Sequence, residues 1–147
     1  MTEVGLRIVI AEPKVEPISF RAEMTTLSGA LHRPGTDPRA AIVLHGATGV
    51  PQSYYQPFAR WLAEQGYACL TYDYRDFGGS AKAPLRQSRA RMADWGLSDQ
   101  PAAQAELERL VPDAPVWVIG HSLGGLMVPF HPGATRISRL IGVCLLY

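Results

Sequence analysis

Four apolar residues, Val116 to Ile119, run directly into Gly120-His121-Ser122-Leu123-Gly124. A strand that hands over to a helix through G-x-S-x-G leaves a chain few folds to choose from. Small residues two before and two after the serine allow a strained backbone turn to form without collision, and that turn presents the serine side chain. A serine hydroxyl is a poor nucleophile on its own, so this presentation is what makes Ser122 a candidate for covalent chemistry. Gly120 and Gly124 are needed by the turn whether or not Ser122 reacts.

The remaining sequence supplies a sheet to carry such a turn. Ile18 to Met24 and Thr26 to His32 read as two β segments joined by a turn, and Arg33-Pro34-Gly35-Thr36-Asp37-Pro38 ends the second with strong breakers. Ala40 to Leu44 and Ala68 to Tyr72 are continuous apolar runs, as expected of strands covered on both faces. Between them, Ser53-Tyr54-Tyr55-Gln56 has capping-box spacing, and Tyr55, Phe58, Ala59 and Leu62 recur at helical spacing until Gly66. Ser98 or Asp99 is placed to cap a helix with Pro101 in its first turn and Ala103, Leu107, Leu110 and Val111 on one face, before Pro112. Leu123 to Val128 begins a helix that Pro129 and Pro132-Gly133 cut short, and Leu140 to Tyr147 reads as a last strand. The order β-β-β-α-β-α-β-α-β predicts an α/β fold. Its sheet is mostly parallel with helices on both faces, right-handed crossovers and an opening antiparallel hairpin.

Composition removes several function classes. At 147 residues the chain has the length of about one domain. Its 14 Lys+Arg against 13 Asp+Glu leave a formal charge of +1, which gathers neither nucleic acid nor an anionic membrane. Lys82, Arg86, Arg89 and Arg91 fall in a polar stretch after Gly78-Gly79-Ser80 that reads as a solvated loop, without the interleaved aromatics of a nucleic-acid module. Cys69 and Cys144 lie in apolar runs and are expected to be buried reduced thiols rather than a bridge or metal ligands. Met1 to Ile10 carries Glu3 and Arg7 and lacks the apolar core of a signal peptide. No apolar stretch approaches the roughly 20 residues of a membrane helix. A soluble, cytoplasmic protein with no membrane span is expected.

Three loops follow the carboxyl ends of three predicted strands, which is where open α/β sheets place their sites. They are His45-Gly46-Ala47-Thr48-Gly49, Asp73-Tyr74-Arg75-Asp76-Phe77-Gly78-Gly79-Ser80 and the Ser122 turn. In this order, HGATG, DYRDFGGS and GHSLGG resemble the amino-terminal half of an α/β-hydrolase, in particular the serine aminopeptidase and lysophospholipase-like group. The resemblance runs from about Ile18 to the last residue. It implies that Ser122 is the acylated nucleophile and that the Leu123 N–H is one oxyanion-hole donor, with the second donor from the HG loop at Ala47 or, alternatively, Thr48. Backbone donors suit that task because no side chain intrudes on the developing alkoxide.

The resemblance further implies that His45, with Gly46 and Gly49, shapes the oxyanion turn, and that Asp73 and Asp76 belong to a loop stabilising the sheet edge of the pocket. Neither His45 nor His121 has a second histidine or a carboxylate at ligand spacing, so both read as structural and no metal is expected. The sequence contains neither GKS/GKT nor G-x-G-x-x-G, and no organic cofactor is implied.

Hydrolases of this kind place their acid and then their histidine after the serine. From Leu123 to Tyr147 there is no Asp or Glu, and the one histidine, His131 between Phe130 and Pro132, follows the serine too closely to be the base. Residues 1–147 are therefore expected to be a single incomplete domain whose carboxyl-terminal strands are missing. The leading expectation is a serine hydrolase that cleaves esters, thioesters or amides of small acyl substrates through an acyl-enzyme on Ser122, with this chain inactive alone. A non-catalytic truncated product or interaction domain, and an acyltransferase on the same fold, are the alternatives. Ile141 to Tyr147 is uncharged and β-prone, and left as an uncovered edge it is expected to self-associate.

Overall fold

The computed structural model describes residues 11–144. The readings of Met1 to Ile10 and of the last three residues of the terminal strand lie outside them. β1 (Lys14–Ala22) and β2 (Thr25–Arg33) form the expected hairpin, with Lys14 opposite Arg33 and Ala22 opposite Thr25. Met24 belongs to the two-residue turn rather than the strand, beside Glu23 at φ 54. β3 (Ala41–His45), β4 (Ala68–Tyr72), β5 (Val116–His121) and β6 (Arg139–Val143) follow, and the six strands run in the order β1-β2-β4-β3-β5-β6. β4, β3, β5 and β6 are mutually parallel, and β2 is antiparallel to β4. The hairpin thus extends a parallel sheet on one side.

Side-chain alternation along the central strands divides the core in two, because successive residues of a strand point to opposite faces. Ile42 and Leu44 of β3, with Cys69 and Ile119, pack against Tyr55, Ala59 and Leu62 of α1 (Gln52–Glu64). Ala41 and Val43, with Leu70 and Val118, face the other way. That face is covered by a long helical stretch made of α2 (Met92–Asp94), a π turn (Trp95–Asp99) and α3 (Gln100–Leu110), through Ala103 and Leu107. The short α4 (Leu123–Leu126) follows β5 directly. Burial on both faces explains why these strands read as continuous apolar runs rather than alternating ones. It also isolates the Cys69 thiol, whose pKa burial pushes up to about 12.

Several local expectations are corrected. Ser53 does not cap α1. The helix starts at Gln52 behind Pro51, and the Gln52 N–H donates to Asp73 Oδ1 at 2.8 Å, so a carboxylate from the end of β4 does the capping. Ser98 and Asp99 do not cap a helix either, because the stretch is already helical from Met92. Asp99 is instead buried against Arg75, accepting its backbone N–H and its Nε–H, each at 2.8 Å. Cys144 is exposed rather than buried, and with φ 51 it marks the end of β6. β6 is an edge strand, and all five of its residues are exposed. Among the described residues no helix is long and apolar enough to cross a membrane.

Candidate active site

β4, β3 and β5 are neighbours in the sheet and parallel, so the loops leaving their carboxyl ends emerge side by side. His45 lies directly across from Gly120 in the β3–β5 register, which sets the HG loop beside the serine turn. Ser122 has φ 52 and ψ −117, a conformation that costs a side-chain-bearing residue about 1–3 kcal/mol and persists only where the surroundings enforce it. They do so here through two glycines. A Cβ on Gly120 would come within 2.3 Å of Gly125 Cα, and one on Gly124 within 2.0 Å of the His45 carbonyl oxygen. The Ser122 N–H is held by the Val143 carbonyl of β6 at 2.9 Å. Leu123 is the first residue of α4, so its N–H has no acceptor within the helix and lies at the positive end of the helix dipole.

The chain matches the α/β hydrolase fold family over residues 41–129, which take in the HG loop, the Asp73 loop and the serine turn. The chain belongs to the α/β-hydrolase family. It is similar to the quorum-quenching protein AidA of Acinetobacter baumannii, with 30% identity over an alignment of 132 positions that covers 86% of this chain and 42% of that protein. Among solved structures, a thermostable carboxyl esterase from Bacillus coagulans superposes with a TM-score of 0.73 at 18% identity, over 87% of this chain and 43% of the esterase. A serine hydrolase without a lid from Xanthomonas campestris gives 0.69 at 21% identity, over 90% of this chain and 62% of that one. The chain spans less than half the length of AidA and of the esterase.

Tyrosines pin the HG loop. Tyr72 and Tyr74 are two residues apart at the end of β4 and reach the same side. The Tyr72 hydroxyl bonds to His45 Nδ1 at 2.6 Å, and the Tyr74 hydroxyl donates to the Gly46 carbonyl at 2.9 Å. Burial raises the pKa of both tyrosines, so both hydroxyls keep their protons. His45 is fully buried. Desolvation, reinforced by His131, lowers its pKa to about 3, and the ring is neutral. Gly49, at φ 75, closes the loop in a turn whose Val50 N–H donates to the Ala47 carbonyl.

The Ala47 N–H points to the Tyr55 hydroxyl of α1 at 2.9 Å, and that hydroxyl lies 2.9 Å from His121 Nδ1. Burial raises the Tyr55 pKa, so the hydroxyl that links Ala47 to His121 keeps its proton. Tyr55 had read only as an apolar face residue of a helix, since nothing local in the sequence shows where its hydroxyl ends. Each histidine near the turn commits Nδ1 elsewhere: His45 to Tyr72, His121 to Tyr55, and His131 to the Gly133 N–H at 3.1 Å.

Asp73 organises the third loop. It accepts the Gly79 N–H at 2.9 Å as well as that of Gln52, and a Cβ on Gly78 would approach its Cγ to 2.5 Å. Ser80 Oγ donates to the Asp73 carbonyl and accepts the Ser28 N–H, which ties this loop to β2. Asp76 accepts from Ser88 Oγ at 2.6 Å. Among the described residues no group of three His, Cys, Asp or Glu is arranged to hold a metal. On the α1 face an apolar cavity of about 520 Å³, bounded by Leu44, Tyr54, Phe58, Ile119 and Val143, reaches His121.

Proposed function

We propose that Ser122 is the nucleophile of a serine hydrolase acting on an ester, thioester or amide of a small acyl substrate. The observation that carries this reading is the strained Ser122 backbone at the β5–α4 junction, set against the HG loop. In the reaction, Ser122 Oγ attacks the carbonyl carbon and gives its proton to a base. The carbonyl electron pair moves onto oxygen, and that oxyanion is held by the Leu123 N–H and an N–H of the HG loop. Collapse expels the leaving group with a proton, and water then hydrolyses the acyl-enzyme. An alcohol or amine in place of water would make the same intermediate an acyltransferase.

The Tyr55 oxygen stands where an acceptor sits against the Ala47 N–H, so a substrate oxyanion bound there replaces it; otherwise Thr48 supplies the second donor. Each donor of this type contributes about 10²- to 10³-fold. On this reading the acid and base of the triad are not among the residues after Ser122 in this sequence, where no Asp or Glu occurs. Residues 1–147 are on this reading one incomplete domain. Without its base such a unit loses on the order of 10⁶-fold in rate.

An activated aryl ester tests this directly: the 147-residue chain should show no Ser122-dependent turnover. Turnover abolished by Ser122→Ala would overturn the placement of acid and base. A fluorophosphonate at raised pH, where hydroxide replaces the base, should label Ser122 in preference to the other serines, as read by peptide mass. Labelling spread over many serines would overturn the nucleophile assignment.

A second, non-catalytic reading draws on β6. Its Leu140, Ile141 and Val143 are 46%, 43% and 43% exposed on a sheet edge that no strand among the described residues pairs, which suits pairing with another copy of the chain. Ile141→Lys should then lower the sedimentation coefficient, and an unchanged distribution would count against this edge.

A further inference from the structure

Beneath the serine turn, on the α3 face of the sheet, lie four buried polar side chains whose hydrogen bonding is incomplete. His45, Gln100 and Gln104 are 0% exposed and His131 is 3% exposed. His45 Nε2, His131 Nε2, Gln100 Oε1 and Gln104 Oε1 have no partner. An unpaired buried polar atom is costly, and four in one layer call for a common explanation.

The protonation of each group follows from its other bonds. The Gly133 N–H donates to His131 Nδ1, so His131 carries its proton on Nε2. With the Tyr72 hydroxyl as the donor in its 2.6 Å bond to His45 Nδ1, His45 too carries its proton on Nε2, a tautomer that the proposal below requires. Both N–H bonds of the Gln100 amide are used, on Tyr74 Oη and the Gly124 carbonyl. Both of Gln104 are used as well, on Glu108 and the Gly133 carbonyl. Neither amide can be turned over without losing two bonds. The layer therefore contains two donors without acceptors and two acceptors without donors.

The four groups are neighbours. The His45 and His131 rings meet edge to face with centroids 6.1 Å apart. Gln104 holds Gly133, which holds His131. Gln100 holds Gly124, which touches the His45 carbonyl, and the two glutamines are one turn apart on α3.

We propose that one internal water molecule binds between these four side chains, accepting from His45 Nε2 and His131 Nε2 and donating to Gln100 Oε1 and Gln104 Oε1. Water alone among simple ligands offers two donors and two acceptors without charge. An ammonium ion would set its own protons against both imidazole N–H groups, and an anion would face both glutamine oxygens. The water closes a ring that joins the HG loop to α3, the helix that already holds Gly124 through Gln100. It holds the loop in place whether or not Ser122 reacts, so the site stands independently of the proposed function.

The test is nuclear magnetic resonance on the wild-type chain labelled with ¹⁵N-histidine. His45 and His131 should both appear as Nε2–H tautomers, each with a cross-relaxation peak to one water that stays longer than nanoseconds. Oxygen-17 relaxation dispersion should lose one long-lived water per molecule in Gln104→Met. An Nδ1–H tautomer on either histidine, the absence of a long-lived water at these protons, or a Gln104→Met protein that keeps the same count would overturn the proposal. If Gln104→Met does not fold, the wild-type tautomers and cross peaks decide it alone.

Discussion

The Ala47 N–H donates to the Tyr55 hydroxyl at 2.9 Å, and this contact joins the HG loop to helix α1 directly beside the serine turn. Because the same hydroxyl reaches His121 Nδ1, one oxygen links the two loops that the proposed chemistry needs. If Ala47 supplies the second anion donor, as proposed, its N–H is held in place by a side chain of the protein.

Tyr55→Phe removes that oxygen and leaves both a buried N–H and an imidazole nitrogen unpaired. The expected loss is about 1–3 kcal/mol, read from urea unfolding. Hydrogen exchange at the Ala47 amide should speed up by roughly tenfold or more, since each 1.4 kcal/mol is a factor of ten. Unchanged protection would mean that Ala47 has another acceptor.

At Ser122 the backbone rather than the side chain carries a cost. With φ 52 and ψ −117, Ser122→Gly should be more stable than Ser122→Ala by about 1–3 kcal/mol, because only glycine adopts this region without strain. Equal midpoints in denaturant for the two variants would show that the turn relaxes.

Two glycines separate conformational strain from collision. Gly49→Ala adds a Cβ with nothing within 4 Å but at φ 75, and should fold with a loss of about 1–2 kcal/mol. Gly124→Ala drives its Cβ to 2.0 Å from the His45 carbonyl, backbone against backbone, and should leave little folded protein by circular dichroism. Similar melting curves for both would contradict the close passage of α4 over the HG loop.

Acid should destabilise the fold through His45. Its folded pKa, lowered by burial to about 3, lies below the ordinary histidine value of 6.5. The unfolded chain therefore binds more protons between those limits. Stability is complete above about pH 6.5 and is lost as pH falls toward 3, at up to about 1.4 kcal/mol per pH unit from this group. His131 and His32, also lowered by burial, add to the same slope. Denaturant midpoints across this range measure it, and a His45 ring proton that titrates near pH 6.5 in the folded protein would refute it.

The sequence by itself determined the order of elements along the chain, most of the helix faces and the three loops, because those depend on short-range facts: apolar runs long enough to be buried on both sides, helical spacing, and glycines where the backbone must turn. Its errors fall where the partner is distant along the chain. Ser53 had the spacing of a cap, yet Gln52 gave its N–H to Asp73, 21 residues further on. Cys144 looked buried from its apolar neighbours, but it follows β6, the edge strand of the sheet among the described residues, and is exposed. Only the tertiary structure decided that Tyr55, 66 residues from His121, shares its hydroxyl between the HG loop and the serine turn. A hydroxyl's partner is set by where folding brings two surfaces together, and no residue spacing encodes that meeting.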